Sequence, residues 1–455
     1  MGTLRVLAVA MIPAGLTVVL LESMMGAGRV AWAWTCGAVA VAGMVAIVQT
    51  AARPNVVPSV MVAVHASLLG VAAAHVRRVL AAGRPARGAV LILNWRDRAH
   101  PQGGGSEVYV EEMARRLVAG GRPVGVFCAA HHGAPREEVR HGVRFVRRGG
   151  RWTVYGWAAL YHVLGRFGPH DVVIDVHNGV PFFSPLYCGR PVVVLVHHVH
   201  QEQWAMWFGP RVARLGWWIE SWLSPRVYRK SDYVAVSSAT GRDLERLGVD
   251  PERITVIHNG APEGVDIARA ARASHPTICY VGLTKEVPEL RVRVIGRGPS
   301  LDSLRVLSDR LGIGDVVRFD GFVGETAKTR ALAEAWVLAL PSVKEGWGLV
   351  VSEAAAVATP AVAFRLGGLV ESVRDGETGI LVDSFEGFVE ALRSILVDED
   401  LRDRMGCAAR AYGAGFRWEE SAARLDALLA DLERELVEEQ IRAGEPVLAT
   451  PASGG

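Results

Sequence analysis

One stretch of the sequence constrains the fold more than any other, and it joins a strand to a helix around residue 345. An apolar run over Ala335–Leu340 predicts a buried strand, and an Ala- and Val-rich run that must end before Pro360 predicts a helix. The loop between them contains Gly346 and Gly348, which let a ligand approach the backbone at the start of the helix. The stretch therefore predicts a ligand-binding turn at the edge of a sheet.

Two carboxylates frame this turn. Glu345 lies in the loop, and Glu353 lies eight positions later, about one turn into the helix, so that both side chains can face one ligand. The pattern Glu-x7-Glu, with Gly-x-Gly after the first Glu, resembles the donor-site signature of the retaining GT-B glycosyltransferases of family 4. Taken alone, the stretch has a second interpretation, which is a glycine-containing turn with two surface glutamates.

Length, charge and cysteine content limit the remaining classes. A chain of 455 residues is too long for one ordinary domain. The net charge of +3 gives no indication of a nucleic-acid partner. The five cysteines are scattered and show no metal-binding spacing, so we expect no metal site and a reduced, cytosolic environment for the soluble part.

Residues 1–82 differ in composition from everything that follows. Residues 30–52 and 54–76 form uncharged runs of 23 residues, long enough to cross a bilayer, and the run of 16 over residues 6–21 is borderline. Four arginines between positions 77 and 87 favour a cytoplasmic location for the remainder of the chain. The sequence predicts an anchor of two or three transmembrane helices, with a buried helical subdomain as the alternative.

Strand-length apolar runs alternate with helical stretches through the rest of the chain, which predicts an α/β fold with two Rossmann-like, doubly wound domains. Gly104 and Gly105 lie in a Gly-rich loop between the first strand and the first helix, where either an anion site or a plain flexible turn is expected. The predicted segments are the membrane anchor 1–82, the N-terminal acceptor domain 83–260, the C-terminal nucleotide-sugar domain 261–416, a crossover helix 417–443 and a disordered tail 444–455.

Three histidines follow another predicted strand, at positions 197, 198 and 200. Loops at the carboxyl ends of parallel strands are where ligands bind. The histidines lack a matching set of carboxylates or thiolates, so a metal site is not expected. In the family that the chain resembles, a His directly after this strand contacts the transferred sugar, and His197 is the best match. Hydrogen bonding to loop backbone is the alternative role.

A cluster of tryptophans and arginines follows the histidines. The residues are Trp204, Trp207, Trp217, Trp218, Trp222, Arg211, Arg214 and Arg226. Such a segment can dock on a membrane or on a lipid-linked acceptor. We favour the simpler interpretation, in which the aromatic side chains pack between helices.

The resemblance covers roughly residues 89–440 and fails at one place. Family members follow the first strand of the C-terminal domain with Gly-Arg, a Lys-containing loop and a helix, whose cations neutralise the donor diphosphate. Here Leu283 stands where the Arg is expected, Lys285 is the only cation nearby, and the helix is missing. The shortened segment predicts either a weakened hold on the diphosphate or a replacement by Lys285, Arg297 or Lys344.

The resemblance implies a hexosyltransferase, and the predicted anchor in residues 1–82 places it in the cytoplasmic membrane, with its soluble domains on the cytoplasmic side. It implies a nucleotide-diphosphate sugar as co-substrate, no other cofactor and no metal; the acceptor is unknown, and a lipid-linked one is a candidate. Glu345 and His197 would orient the transferred sugar, and Glu353 would bind the ribose. The remaining donor-binding residues are Gly104, Gly105, Lys285, Gly346, Trp347, Gly348 and Leu349. The alternatives are a non-catalytic membrane scaffold that kept the fold and, more remotely, an epimerase or hydrolase.

Overall fold

The computed structural model describes residues 88–262, 272–273, 277–279, 290–298 and 300–442. Within these ranges, no helix is both long and apolar enough to cross a membrane. The predicted membrane spans in residues 1–82 and the predicted tail 444–455 lie outside the described residues.

The first half of the described chain builds one eight-stranded sheet. Its strands are β1 (Val90–Leu93), β2 (Val124–Cys128), β3 (Glu137–Arg140), β4 (Val143–Arg147), β5 (Val172–His177), β6 (Val192–Val196), β7 (Asp232–Ala235) and β8 (Ile254–Val256). They are ordered β3-β4-β2-β1-β5-β6-β7-β8. All neighbours pair in parallel except β3 and β4. The continuous burial of β1 and β6 reflects helices covering both faces of the sheet.

The helices of this half are α1 (Gly105–Ala119), α2 (Val154–Val163), α3 (Gln201–Trp207), α4 (Pro210–Trp218), α5 (Ser224–Val227) and α6 (Ser238–Arg246), with a π-helical turn (Ile219–Leu223) joining α4 to α5. In α1, one apolar face is buried through Tyr109, Met113 and Leu117. The predicted packing of the tryptophans between helices is wrong for Trp218 and Trp222, which are 46% and 45% exposed.

The second half builds a six-stranded sheet. Its strands are β9 (Thr277–Cys279), β10 (Arg291–Ile295), β11 (Val317–Gly321), β12 (Val337–Leu340), β13 (Ala361–Phe364) and β14 (Gly379–Val382). They are ordered β11-β10-β9-β12-β13-β14, and every neighbouring pair is parallel. The helices are α7 (Leu301–Arg310), α8 (Glu325–Glu334), α9 (Leu349–Ala356), α10 (Leu369–Ser372), α11 (Phe385–Val397) and α12 (Glu399–Gly413).

The connection between β9 and β10 is short for a parallel crossover. The two strands pair directly, with Thr277 opposite Arg291, and eleven residues, 280–290, join them. A parallel connection usually needs about a dozen residues or more. Leu283 and Lys285 belong to this connection and lie outside the described residues.

The last helix, α13 (Trp418–Arg442), returns from the second sheet and packs along α1 of the first. The guanidinium of Arg122, which is buried, bonds Asp426 and Glu433 of α13 and donates to the carbonyl oxygen of Gly88 at 2.9 Å. Trp418 packs edge-on against Tyr109 of α1 at 5.7 Å. This helix therefore holds the two sheets together, with the carboxyl ends of their strands facing a common cleft.

Candidate active site

Glu345 lies in the loop that follows β12, at the carboxyl end of a central strand of the second sheet. Its Oε1 accepts a hydrogen bond of 2.8 Å from the hydroxyl of Ser342. Burial raises the pKa of Glu345 above the usual range, although the Ser342 bond lowers it in part. A carboxylate in this setting is poorly hydrated and therefore interacts strongly with any polar or charged group that enters the cleft.

Two close backbone approaches fix this loop. A Cβ on Gly346 would overlap the carbonyl oxygen of His197, which belongs to the first sheet, so the two halves touch at this point. A Cβ on Gly367 or Gly368 would overlap the carbonyl oxygens of Glu345 or Gly346. The backbone N–H of Gly368 also donates to the Glu345 carbonyl at 3.1 Å. Glycines at these positions are therefore required by space, and they bring Glu345 beside the histidine loop.

The N-termini of two helices meet at the same place. Gly348 precedes α9 with φ of 81°, a backbone conformation that favours glycine, and no side chain caps the helix there. A Cβ on Gly105, the first residue of α1, would lie 3.7 Å from the Cβ of Leu349, the first residue of α9. The uncapped N–H groups and the dipole of α9 favour an anion at this junction, whereas the buried carboxylate of Glu107 already accepts the Gly104 N–H at the start of α1, at 2.7 Å. The structure thus brings Gly105, at the end of the Gly-rich loop, close to Leu349 at the start of α9.

Glu353 lies inside α9 and is paired with a cation that the sequence did not single out. Lys328 of α8 donates to Oε1 of Glu353 at 2.7 Å and lies 3.1 Å from Glu325. Burial raises the pKa of Glu353, and Lys328 offsets part of that rise. Glu325 in turn pairs with Arg98 of the first half at 2.8 Å, so a chain of ion pairs crosses the cleft beside Glu353.

His197 is placed at the cleft by its backbone, while its ring is buried against Tyr109, 5.4 Å away. Burial, reinforced by the neighbouring His198 and His200, lowers the pKa of His197 to about 3, so its ring is neutral at physiological pH. Its Nε2 has no hydrogen-bond partner among the described residues. A buried, unpaired ring nitrogen is costly unless a ligand or water satisfies it.

His200 has a different environment. Its Nδ1 lies 3.0 Å from Oε1 of Glu220, whose other oxygen accepts from the indole nitrogen of Trp204 at 2.8 Å. The carboxylate fixes the orientation of this ring, which remains partly exposed at the end of β6. Sequence reasoning missed this pair because twenty residues separate its members and no spacing rule connects them.

The side chain of Trp347, predicted to bind the donor, is buried against the first half of the chain. It is 2% exposed and belongs to the same apolar cluster as Tyr109 and Trp418, with its indole nitrogen donating to Ser352 at 2.9 Å. The indole therefore anchors the loop between β12 and α9 to the first half of the chain.

Two further contacts cross between the halves. Oε2 of Glu371, just after Gly368, accepts from the backbone N–H and the hydroxyl of Ser238 at 3.0 Å, and Oε1 accepts from the N–H of Ala239 at 3.0 Å. His258 Nε2 lies 3.2 Å from the same Oε2. Although burial favours the neutral acid, these bonds lower the pKa of Glu371 to about 2. Glu371 therefore occupies the N-terminus of α6 as a carboxylate.

Two of the cations that could replace the missing Arg at the diphosphate, Lys344 and Arg297, lie in separate environments. Lys344 Nζ lies 3.6 Å from Asp243 of α6. Arg297 is exposed and stacks over Phe322 at 4.1 Å. Lys328, by contrast, binds Glu353, the residue predicted to bind the ribose.

Comparison with known proteins agrees with this arrangement. The family model described as "Glycosyltransferase Family 4" matches residues 103–264, and that described as "Glycosyl transferases group 1" matches residues 280–412. The D-inositol 3-phosphate glycosyltransferase of Streptomyces coelicolor is 41% identical over 397 residues, covering 70% of this chain and 85% of the relative. This chain belongs to glycosyltransferase family 4. The protein of the same description from Streptomyces scabiei is 29% identical over 385 residues, covering 70% of this chain and 84% of the relative.

Solved structures share the GT-B fold of this family 4 chain. Sucrose-phosphate synthase from Thermosynechococcus elongatus superimposes with a TM-score of 0.63 at 19% identity, covering 76% of this chain and 99% of the other. HepE from Anabaena, solved in complex with UDP and glucose, gives a TM-score of 0.58 at 16% identity, covering 76% of this chain and 100% of the other. At these identities the likeness establishes the fold.

The contact between Gly346 and His197 leads to a test. We expect Gly346→Ala to lower kcat/KM for glycosyl transfer by about 10- to 100-fold, because the added methyl forces the loop away from the His197 carbonyl and misplaces Glu345. Steady-state kinetics with the full chain measure this effect. Gly156→Ala is the matched control, since a Cβ there meets nothing within 4 Å. Unchanged kinetics for Gly346→Ala would show that this close approach does not position the loop.

Proposed function

We propose that this glycosyltransferase moves a hexosyl group from a nucleotide-diphosphate sugar to an acceptor hydroxyl with retention of the anomeric configuration. The observation that carries the proposal is the meeting of Glu345, the His197 loop and the N-termini of α1 and α9 at one point of the cleft. A sugar diphosphate presents a reacting centre and an anion side by side, and this junction offers a carboxylate next to an anion site.

The second half of the chain would hold the nucleotide. Lys328 occupies Oε1 of Glu353, so ribose hydroxyls would donate to Oε2. The backbone N–H groups of Gly346–Leu349, with Lys285, would face the diphosphate and stabilise the negative charge that develops as it leaves. We propose that no metal is required, because these donors stabilise the leaving group. His197, neutral under these conditions, would accept from or donate to a sugar hydroxyl through Nε2.

The first half would hold the acceptor. The side-chain nitrogen Nδ2 of Asn94, after β1, is buried and has no hydrogen-bond partner among the described residues. A hydroxyl-rich acceptor at the carboxyl end of this strand would satisfy this group. The names of the relatives favour a phosphorylated inositol. A lipid-linked acceptor is the alternative, favoured by the apolar runs in residues 30–76.

Donor binding and product stereochemistry test the proposal. The full chain is titrated calorimetrically with UDP- and GDP-sugars, and the product formed with D-inositol 3-phosphate or with membrane lipid extract is analysed by NMR. We expect one donor to bind below millimolar concentration, Glu353→Gln to weaken that binding about tenfold, and the product to retain the donor's anomeric configuration. The matched control is Glu377→Gln, an exposed carboxylate of the same half.

Each alternative has its own outcome. The absence of binding at millimolar donor would favour the non-catalytic membrane scaffold. Release of free nucleotide without an acceptor would favour the hydrolase. A product of inverted configuration would contradict the retaining mechanism while leaving the family assignment intact.

For location, we propose the cytoplasmic membrane, with residues 1–82 as the anchor and the catalytic cleft on the cytoplasmic side.

A further inference from the structure

An apolar stripe is exposed on the helical segment 210–227, on the first half of the chain. Leu215 is 56% exposed, Val212 is 47% exposed, and Trp218 and Trp222 are 46% and 45% exposed. The two indoles stack on each other, with ring centroids 5.2 Å apart. We call these four residues the tryptophan stripe. Large side chains grouped in this way on a surface mark an interaction site more often than chance exposure does.

Cationic side chains border the stripe, and the segment 210–227 exposes no acidic side chain beside it. Arg211, Arg214 and Arg226 are exposed beside it, and the Arg226 guanidinium lies over the Trp222 ring at 4.1 Å. The segment 210–227 contains one acidic residue, Glu220, and that carboxylate faces inward to His200 and Trp204. The exposed face is therefore apolar along its centre and positive along its edges.

The same character continues beyond the segment. Phe208, two residues before α4, lies 6.2 Å from Trp152, which is 60% exposed. Arg151 lies over both of these rings, at 5.1 Å from Trp152 and 5.7 Å from Phe208. The surface thus combines exposed tryptophans with arginines on two separate parts of the fold.

We propose that the tryptophan stripe docks the first half of the chain on an anionic lipid bilayer. Both the aromatic side chains and the positive charge of this surface favour an anionic bilayer as its partner. Tryptophan is enriched at the boundary between headgroups and hydrocarbon, and arginine is attracted to the negative surface of the cytoplasmic leaflet. Sixteen residues, 211–226, extend roughly 24 Å as a helix, which is long enough to lie along the interface.

The position of the stripe also has a consequence for the cleft. In the segment 210–227, Glu220 points inward to His200, and Trp218 and Trp222 are exposed on the outward face. Docking of the outward face therefore places the segment 210–227 between the lipid surface and His200. The docking itself does not depend on the proposed transfer activity, because it rests on exposed residues outside the donor site.

Site-specific photo-crosslinking tests the occupant. The full chain is reconstituted in vesicles of equal parts phosphatidylglycerol and phosphatidylcholine, with photoreactive benzoylphenylalanine in place of Trp222. The matched control carries it in place of Phe385, which is 60% exposed on the second half. We expect at least fivefold more lipid adduct at position 222 than at position 385. Placing the probe at Leu215 repeats the test if the first variant does not fold.

The arginines provide a second readout. Arg211→Ala combined with Arg214→Ala is expected to lower the lipid adduct at position 222 at least threefold in vesicles that contain phosphatidylglycerol, and to change it little in phosphatidylcholine alone. Adducts to residues 1–87 would show that the chain's own N-terminal segment covers the stripe. Adducts to a second copy would show a dimer interface. Either result, or equal lipid adduct at positions 222 and 385, overturns the proposal.

Discussion

Replacing Glu345 by glutamine is expected to lower kcat for glycosyl transfer by about 100- to 1000-fold. The carboxylate lies in the loop after β12, beside the His197 backbone, where the transferred sugar is proposed to sit. Glutamine keeps the size of the side chain and can still accept the Ser342 hydroxyl bond, so the change removes charge and leaves shape intact. Single-turnover rates with saturating donor measure the effect on the chemical step.

Two controls separate this role from a general loss of structure. Ser342→Ala removes the hydrogen bond to Glu345 but keeps the carboxylate, and we expect a rate loss of no more than about tenfold. Donor affinity should change little in Glu345→Gln, because Glu353 and the α9 N-terminus hold the nucleotide in the proposed site. Full retained activity of Glu345→Gln would rule out a role at the reacting centre.

The raised pKa of Glu345 adds a pH dependence. A carboxyl whose pKa is raised by burial takes up its proton at a higher pH than an ordinary glutamate does. If the carboxylate is the active form, the wild-type rate should begin to fall at a correspondingly higher pH as the solution is acidified. This limb of the pH–rate profile should be absent from the residual activity of Glu345→Gln.

The sequence predicted the central elements of both sheets well. The apolar run over Ala335–Leu340 predicted a buried strand, and β12 occupies Val337–Leu340; β6 and β13 are likewise continuous apolar runs. The hairpin of β3 and β4 was missed. β3 is only four residues long and has the sequence Glu-Glu-Val-Arg. Its single apolar side chain, Val139, is 71% exposed. An edge strand of this kind carries no hydrophobic pattern to detect.

The candidate site was predictable where it depends on local sequence and not where it depends on contacts between elements that are distant in the sequence. The turn at Gly346 and Gly348 and the position of Glu353 in a helix follow from residues within one stretch. Lys328, the partner of Glu353, lies 25 residues before it in the sequence. Glu371 lies in the second half of the chain, and its partner Ser238 lies in the first half. No periodicity or spacing links such residues, since Lys328 meets Glu353 only when α8 packs beside α9, and Glu371 meets Ser238 only when the two halves come together.

The contact of Glu371 with α6 leads to the second large expected effect. We expect Glu371→Gln to lower the free energy that holds the two halves together by about 2 kcal/mol at pH 7, because the α6 N-terminus and His258 lose their carboxylate partner. Exchange of the Ser238 and Ala239 amide hydrogens should then become about 30-fold faster, which hydrogen-exchange mass spectrometry detects. Glu377→Gln, on an exposed carboxylate nearby, should leave this exchange unchanged.

The pH dependence of this contact has a definite direction. The pKa of Glu371 is about 2 in the folded protein, below the usual value for a glutamate, so its contribution is complete above a pH of about 4.5. As the pH falls from about 4.5 towards 2, the carboxylate is protonated more readily in the open form, and the contribution is lost. The difference in exchange between wild type and Glu371→Gln should therefore shrink within this window. A difference that stays constant down to pH 3 would mean that packing, and not the charge of Glu371, holds α6 against the second half.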